Sequence, residues 1–399
     1  MKVAQLAGYC AEQSNYHHGE QCLYETIIKM CHHFPGSNNI PYFERDGQFG
    51  SRAYGGKDAA NARYIFTKLA PLTRLLFPAE DDILLDYTLD DGDLVQPDYY
   101  VPIVPTSLLN GCTAGIGTGW SCFIPCFNFH EILDKIRQYL NDNQDSFQLK
   151  PSYYKYEGDI EKIDDNKYRT VGKIDSFTEK NKLYYQITEL PIGTWTDKYK
   201  EELEIMQENK KIKNFKNYST TDKIHFVFEP NSEVINIDSM KLSSLLHLSN
   251  MVLFTENDKI QKFKDISEIF STYFQKRLEL YEKRIHYQIK DLQQQLIILN
   301  NKSRFILEIV NKTIDIFQLQ DENLIQLLEH ANYYKKSGTF DYLLQIPIKD
   351  LTQTKYNQLM QKIQEIEEQI KKLKKTTAKS IWLKDLDKLE KEYHKFYNV

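Results

Sequence analysis

Apolar residues recur at helical spacing in the first part of the chain. A first run starts at Val3, a polar break follows, and a second run begins after Gly19. Glu20 would lie in the first turn of that second run, where the helix dipole stabilises a carboxylate. The pattern therefore predicts two helices within residues 1–33.

The pattern changes several times before residue 127. Residues 34–58 are rich in Gly, Asn, Pro and Ser and predict loops rather than regular elements. Between Asn61 and Leu76 apolar residues return with helical spacing, which predicts a helix there. Residues 99–126 are again interrupted by Pro and Gly.

The middle of the chain has a mixed pattern. An amphipathic helix is predicted at Phe129–Leu140, followed by a Tyr- and Lys-rich section that extends to about residue 260. The basic run Lys210–Lys216 predicts a solvated turn. Alternating apolar and polar residues predict strands within this α/β section at Tyr168–Val171, Leu183–Ile187 and Ile224–Phe228.

Two heptad patterns occupy the last third of the chain. The first runs from Phe274 to Leu299 and the second from Tyr356 to Leu373, both flanked by Lys, Glu and Gln. A helix over residues 264–312 would be about 70 Å long at 1.5 Å per residue. This length favours an antiparallel pair of helices that projects as an arm over a hairpin inside a bundle. The insert between the heptads predicts a small cap.

Composition indicates a globular chain large enough for two or three domains. Hydrophobic residues make up 41% and charged residues 27% of the 399 residues. No segment approaches the roughly 18 consecutive apolar residues of a membrane span, and the start has no signal-peptide core. None of the six cysteines forms a CxxC pair, which predicts reduced thiols and no metal site in this chain.

The net charge of −5 is distributed unevenly. Residues 76–100 contain eight acidic residues and no basic one, and Asp90-Asp91-Gly92-Asp93 predicts a solvated hairpin turn. With these eight set aside from the 56 acidic residues, 48 remain against 51 basic residues. A basic DNA-facing surface is therefore compatible with the composition.

Arg63 and Tyr64 are the strongest candidates for chemistry. A phenol titrates near 10 and is a poor nucleophile at neutral pH without help. A neighbouring guanidinium cannot take its proton, but it can hold a phosphate and stabilise the developing charge. The pair therefore suits attack on a phosphodiester. Taken alone, the dipeptide is far more typical of a buried tyrosine beside a surface arginine than of a nucleophilic pair.

The segments around this pair resemble the DNA breakage-reunion region of type IIA topoisomerases of eukaryotes and large DNA viruses. The resemblance covers almost the whole chain. The matching segments are Lys2–Gly8, Tyr16–Glu20, Gly36–Asn39, Gly47–Gly50, Gly55–Ala60, Arg63–Phe66, Leu75–Pro78, Gly115–Ser121, Glu189–Thr196, Asn250–Phe254 and Asp341–Leu344.

The resemblance implies an α+β multidomain fold. Residues 1–126 are expected to form a winged-helix DNA-binding domain that carries Tyr64, and residues 127–262 a mixed α/β tower domain. Residues 263–399 are expected to form a long antiparallel coiled-coil arm that ends in a dimer gate.

The resemblance also implies roles for individual residues. Tyr64 would become linked to a 5′ phosphate of DNA while Arg63 holds the scissile phosphate. His18 would lie near the same phosphate as a donor or proton relay. The residues expected to contact DNA are His17, Lys57 as a point charge on a backbone phosphate, Gln48 in its matching segment, and Ile116 as a wedge between base steps.

The resemblance places several requirements outside these residues. Mg²⁺ and ATP are expected to bind in metal-binding and ATPase domains supplied in cis or by a partner chain. Because Met1 falls inside the winged-helix domain, a truncated chain is the favoured explanation. The expected partners are double-stranded DNA and a second copy of the chain, which pairs through the arm tip and around the DNA gate. No membrane is expected, and the location would be intracellular, in the nucleus or in the cytoplasm or factory of a virus.

Two other functions are compatible with the residues. One is a non-catalytic DNA-binding and dimerisation module of a split or truncated topoisomerase, which would form no covalent adduct. The other is a metal-dependent phosphodiesterase that uses the acidic hairpin with His17 and His18. It predicts hydrolysis that survives Tyr64→Phe.

Overall fold

The chain consists of two compact units. A computed structural model describes residues 1–117, 119–142, 147–231, 235–255, 259–314 and 320–398, without the side chains of Ala114, Ile116, Gly117 and Asp321. The first unit comprises Met1–Arg277 with Trp382–Val399, and the second comprises Leu278–Ile381. The finer division into domains at residues 126/127 and 262/263 remains a prediction.

Helices and antiparallel strands are mixed along the chain. The helices are α1 Val3–Gln13, α2 Glu20–Cys31, α3 Thr73–Leu76, α4 Ala79–Asp82, α5 Thr106–Leu109, α6 Phe129–Leu140, α7 Thr196–Glu208, α8 Ile266–Val310, α9 Asp321–His330, α10 Asp341–Leu344, α11 Gln353–Leu373 and α12 Ala378–Tyr397. The strands are β1 Tyr87–Asp90, β2 Asp93–Pro97, β3 Cys112–Gly117, β4 Trp120–Ile124, β5 Asp159–Asp164, β6 Lys167–Val171, β7 Lys173–Glu179, β8 Lys182–Glu189, β9 Ile212–Asn217, β10 Phe226–Pro230, β11 Ser243–His247, β12 Val252–Phe254 and β13 Ile260–Lys262.

The two helices predicted near the start of the chain are confirmed as α1 and α2. Glu20 lies in the first turn of α2, directly after the N-cap residue Gly19. The helices pack together around a buried cluster that also includes residues from the following loops. Its fully or nearly fully buried members are Val3, Ala7, Ile27, Ile28, Cys31, Phe49, Ala62 and Ile65.

The helix predicted between Asn61 and Leu76 is wrong for most of its length. Only α3 is helical, and residues 66–70 instead run antiparallel to residues 42–46. Phe66 and Asp46 exchange backbone hydrogen bonds of 2.9 and 3.1 Å. Pro71 also lacks the N–H that a helix interior requires. The backbone conformation of residues 66–70 is therefore set by pairing with residues 42–46, which the helical spacing does not indicate.

The predicted acidic hairpin is confirmed as β1 and β2. Asp91 and Gly92 form its two-residue turn with φ of +49° and +92°. Positive φ at both central residues gives the backbone twist that joins two antiparallel strands tightly. A second hairpin, β3 and β4, pairs Gly115 with Cys122.

The middle section contains two antiparallel sheets, with strand orders β7-β8-β10-β9 and β11-β6-β5. The predicted strands are confirmed within β6, β8 and β10, although β10 starts at Phe226 rather than Ile224. Helix α7 contacts β9 and buries Tyr199 and Leu203 in the core of the first sheet. The turn predicted at Lys210–Lys216 is wrong, because most of it forms the edge strand β9. Ile212 and Phe215 pack against the sheet's core, while Lys213 and Lys216 are exposed.

The last helix completes the first unit. In α12, Trp382 is fully buried and donates to the carbonyl of Ile103 at 2.9 Å. Tyr393 stacks on Phe129 with ring centroids 4.1 Å apart. The Tyr397 hydroxyl donates to the carbonyl of Asn39 at 3.0 Å. Residues at the two ends of the chain therefore share one core.

The second unit contains most of the two heptad regions. Both predicted heptad helices are confirmed as helices, within α8 and α11, and their pairing as a coiled coil remains a prediction. Between them lies a buried cluster formed by Phe305, Leu328, Tyr333, Phe340 and Leu343, as expected for a packed cap. Among the helices in the described ranges, none combines the length and apolar character needed to cross a membrane.

Candidate active site

Tyr64 lies on an exposed turn with firmly held neighbours. Its side chain is 66% exposed, whereas Ala62 and Ile65 on either side of the turn are buried. The carbonyls of Ala62 and Ile65 accept backbone hydrogen bonds from Ala4 and Val3 at 3.1 and 3.0 Å. The first turn of α1 therefore fixes the backbone of this turn and leaves the phenol accessible.

Arg63 and Tyr64, which are adjacent in sequence, contact each other through their side chains. The Arg63 guanidinium carbon lies 4.8 Å from the centroid of the Tyr64 ring. Within the turn, Tyr64 N–H donates to the Asn61 carbonyl at 2.9 Å, and Arg63 N–H donates to the Asn61 side chain at 3.2 Å. A guanidinium over an aromatic face keeps its donor edges free for an anion. The pair therefore presents a phenol and a phosphate-binding cation side by side.

The loops before this turn are joined through one carboxylate. Asp58 accepts from Ser51 N–H at 2.8 Å, from the Ser51 hydroxyl at 2.7 Å and from the Gln48 amide at 3.0 Å. Lys57, the adjacent residue, is exposed. The carboxylate therefore orients the Gln48 amide and holds the loop that carries Lys57.

Close glycine packing supports the same loop. Gly56 has φ of +83°, and a Cβ placed there would lie 2.1 Å from the imidazole of His32. His32 Nε2 in turn lies 2.8 Å from the Phe49 carbonyl, and burial lowers the pKa of His32 below its usual value. Only glycine permits both this backbone conformation and this contact.

A groove of about 710 Å³ runs between α2 and this loop. Lys29 on α2 and Lys57 on the loop line it, together with Asn38 and Asn61. Asn61 also belongs to the turn of Tyr64, so the groove borders that turn. Its lysine and amide side chains are suited to contacts with a phosphate backbone.

His17 and His18 lie just before α2 and are exposed. His17 Nε2 is 3.7 Å from an Asp90 oxygen of the acidic hairpin, and the His18 ring packs edge-on against Tyr16. Within residues 1–117, neither histidine makes a hydrogen bond or ring contact with Arg63 or Tyr64. The predicted role of His18 at the scissile phosphate stays a prediction.

Ile116 belongs to β3, where it pairs with Ser121 of β4. Its side chain, the predicted wedge between base steps, lies outside the described residues.

A family model for the A-subunit of DNA gyrase/topoisomerase IV matches residues 1–387. The chain belongs to this DNA gyrase/topoisomerase IV family. This membership confirms the resemblance to type IIA topoisomerases that the sequence segments indicate.

Individual members of this family match nearly the entire chain. The DNA topoisomerase 2 of Invertebrate iridescent virus 6 is 40% identical over 396 residues, which are 98% of this chain and 34% of that protein. The DNA topoisomerase 2 of Plasmodium falciparum is 38% identical over 437 residues, covering 98% of this chain and 31% of that protein. The chain thus spans about a third of the length of the curated relatives it matches.

A solved structure of the family has the same fold. The crystal structure of the Plasmodium falciparum topoisomerase II DNA-binding, cleavage and re-ligation domain matches with a TM-score of 0.90 and 38% identity. The match covers 100% of this chain and 58% of that one. The expected mixed α/β fold is confirmed at this level, and the winged-helix, tower and coiled-coil assignments remain predictions.

The sequence patterns do not identify Arg52 as a residue that supports the site. It is buried and forms an ion pair with Glu189, which is also buried. Glu189 further accepts from Leu190 N–H at 2.8 Å and Glu157 N–H at 3.1 Å. The pair anchors the 3₁₀ turn Arg52–Tyr54, and thereby the loop that carries Lys57, to the middle section. Both residues lie in or beside matching segments, but 137 positions separate them.

Proposed function

We propose that this chain is the DNA-gate part of an ATP-dependent type II DNA topoisomerase, in which Tyr64 breaks and reseals DNA. The observation that carries the proposal is the Arg63–Tyr64 turn. Its phenol is 66% exposed, its guanidinium lies 4.8 Å from the ring, and buried neighbours hold its backbone. A nucleophile that must reach a DNA phosphate needs an accessible hydroxyl in a fixed position.

The proposed reaction is a transesterification. The Tyr64 oxygen attacks phosphorus, and a tyrosine–phosphate bond forms as the bond to the 3′ oxygen breaks. The phenol gives up its proton and the departing 3′ oxygen takes one up, with His18 proposed as donor or relay. The 5′ phosphate stays on Tyr64. Attack by the 3′ hydroxyl reverses the step, so the strand is resealed without hydrolysis.

Arg63 would bind the non-bridging oxygens of the same phosphate. Its planar donors match a phosphate better than an ammonium does, and the charge it faces grows in the transition state. Lys57 and Lys29 would contact neighbouring phosphates from the groove, with Gln48 and His17 beside them and Ile116 as a wedge between base steps. These contacts position the DNA so that the scissile phosphate meets Tyr64.

The proposal assigns no magnesium site to the residues around Tyr64. Across the ranges that the structure describes, three or more potential ligand side chains approach one another only at His130, Glu390 and His394. His17 lies 3.7 Å from Asp90, and within the described ranges no third ligand side chain joins them, so we favour the topoisomerase proposal over the phosphodiesterase alternative. Mg²⁺ and ATP are proposed to bind elsewhere in the whole enzyme, and no step above depends on either.

Double-stranded DNA is the proposed substrate. A second copy of the chain is proposed to pair with the first through the arm tip and around the DNA gate, so that each copy cleaves one strand. The metal-binding and ATPase domains would come from the same polypeptide or from a partner chain. The enzyme would act where its DNA is, in the nucleus or in the cytoplasm or factory of a virus.

The decisive experiment joins a metal-binding domain from a topoisomerase 2 to this chain and traps DNA–protein adducts with denaturant. We expect a 5′-linked adduct that disappears in Tyr64→Phe. Tyr87→Phe and Tyr54→Phe serve as controls, because both tyrosines are exposed and Tyr54 lies in the supporting loop. Both control variants should keep the adduct.

Two results would contradict the proposal. An adduct that persists in Tyr64→Phe would exclude Tyr64 as the nucleophile. DNA binding and dimerisation without any adduct would instead support the non-catalytic module. The chain without the added domain should cleave supercoiled plasmid poorly in Mg²⁺, and robust cleavage would show that its own residues suffice.

A further inference from the structure

We propose that His130, Glu390 and His394 form a binding site for a transition-metal dication such as Zn²⁺. The site is separate from the Arg63–Tyr64 turn and from the expected magnesium chemistry. Glu390 and His394 are one turn apart on α12 and therefore share a helix face. His130 is near the start of α6, where the Asn128 side chain caps the helix and accepts from its N–H at 2.9 Å.

The distances suit a single ion. One potential ligand atom from each of the three side chains lies within 4.8 Å of the others, and His130 Nδ1 is 3.4 Å from a Glu390 oxygen. In a tetrahedral zinc site with ligand bonds of about 2.0–2.1 Å, ligand atoms are about 3.4 Å apart. One pair already has this separation. Small side-chain rotations would bring in the third ligand.

Arg137 already orients the carboxylate. Its Nη2 donates to Glu390 Oε2 at 2.6 Å and to Asp387 at 2.9 Å, which leaves Glu390 Oε1 directed towards His130. Partners of this kind fix a ligand's orientation in metal sites. Asp134 also lies 3.8 Å from Arg137. Three carboxylates therefore surround one guanidinium, and this excess of negative charge favours a dication.

Aromatic side chains restrict the imidazole rings. The His130 ring packs edge-on against Phe129 and Tyr393 at 5.3 Å, and lies nearly parallel to the His394 ring at 5.2 Å. The His130 side chain is still 39% exposed, so an ion can enter and a water can complete the coordination. Two imidazoles with one carboxylate favour zinc, cobalt, nickel or copper over magnesium. A bound ion would join α6 to α12.

The test uses the full chain after treatment with a chelator. Zn²⁺ is titrated calorimetrically in an excess of Mg²⁺, and Tm is measured with and without Zn²⁺. We expect one Zn²⁺ per chain, a higher Tm with zinc, and at least about 100-fold weaker binding in His394→Gln, because loss of even an outer partner weakens metal sites by about 10–100-fold. The matched control is His17→Gln/His18→Gln, which removes the exposed histidine pair at the other end of the unit's sequence.

Co²⁺ provides a second readout that does not depend on stability. The wild-type chain should give the visible absorption of cobalt bound by nitrogen and oxygen ligands, and His130→Gln and Glu390→Gln should lose it. The proposal is overturned if zinc binding is absent, if it survives in His394→Gln, or if it is lost in the His17/His18 control. In the first case the three side chains form only a surface ion pair and a histidine stack.

Discussion

Arg52 and Arg63 lie in the same segment and occupy opposite environments. Arg63 is exposed, and its guanidinium covers the Tyr64 ring. Arg52 is 4% exposed and is paired with buried Glu189. An exposed guanidinium has donors left for a substrate phosphate, whereas a buried one must satisfy its charge within the protein. The contrast separates a residue proposed to bind the DNA phosphate from a residue that anchors the neighbouring loop.

The largest effect on stability is expected at the buried arginine. Arg52→Met leaves the Glu189 carboxylate buried without its cation, which should lower the free energy of unfolding by about 3–5 kcal/mol. Urea denaturation of the full chain measures the change. Arg52→Met/Glu189→Gln should recover part of the loss, because it removes the buried charge and its amide oxygen can still accept from one of the two N–H groups, Leu190 or Glu157, that donate to separate oxygens of Glu189. A loss below about 1 kcal/mol in Arg52→Met would show that this buried ion pair contributes no more to stability than an exposed one.

The exposed arginine should show the opposite behaviour. In an enzyme assembled with its metal-binding domain, Arg63→Ala should slow DNA cleavage by about 10²–10³-fold, the usual effect of removing one transition-state donor. Its free energy of unfolding should change by less than about 0.5 kcal/mol. The cleavage rate of Arg63→Lys should lie between those of wild type and Arg63→Ala, since lysine keeps the charge and loses the planar donors.

Arg304→Ala is the matched control for Arg63→Ala. Arg304 also lies over a tyrosine ring, with its guanidinium carbon 4.4 Å from the Tyr333 centroid, but in the second unit. This variant should leave the cleavage rate unchanged. Equal losses in the two variants would show that Arg63 acts through the fold and not at the phosphate.

The next effect on stability is expected at Gly56, which packs against His32 in the loop that carries Lys57. Gly56→Ala should lower the free energy of unfolding by about 2–3 kcal/mol, because it combines a left-handed backbone with a clash against His32. Gly193→Ala is the matched control. Gly193 has nearly the same φ, +85° against +83°, but open space around its Cβ position, so about 1 kcal/mol is expected. Equal losses would show that the His32 contact contributes nothing.

Burial of a histidine should also make the stability of the chain depend on pH. Burial is the main reason that the pKa of His33 falls from 6.5 to about 4, while His17 and His18 are exposed. Between these two pH values the folded chain binds fewer protons at His33 than the unfolded chain does, so stability decreases as pH decreases. By pH 5 the loss should be about 2 kcal/mol relative to neutral pH.

Comparing His33→Gln with wild type from pH 7.5 to 5 by urea denaturation isolates this contribution. Over that range the free energy of unfolding of His33→Gln should decrease by about 2 kcal/mol less than that of wild type. A wild-type slope in His33→Gln would assign the acid sensitivity to other groups.

Sequence periodicity predicted the helices and the tight hairpin, whose backbone hydrogen bonds join residues close in sequence. Helices α1, α2, α6, α8 and α11 and the acidic hairpin follow from apolar spacing and turn residues alone. Residues 66–70 and 212–217 differ from the prediction for one shared reason. Their conformation comes from backbone pairing with other segments, 42–46 in one case and β10 in the other. Local spacing contains no information about such pairing.

The residues of the candidate sites also differ in whether their partners are close in sequence. Arg63 and Tyr64 are adjacent in sequence, so the sequence alone predicts their chemistry. Ion pairing of Arg52 with Glu189 depends on a contact between residues 137 positions apart, and the approach of His130 to Glu390 on one between residues 260 positions apart. The only sequence signal for the latter is the one-turn spacing of Glu390 and His394. A residue's long-range partners appear only once the fold is known.

The return of α12 to the first unit has a consequence for how the protein is made. Tyr397 contacts Asn39 across 358 positions, and Trp382 contacts Ile103 across 279. Ribosomes add about 5–20 residues per second, so synthesis from residue 277 to 398 takes roughly 6–24 s. During that time the N-terminal unit exposes the apolar surface that α12 later covers. The core of the first unit can therefore close only after α12 has been synthesised.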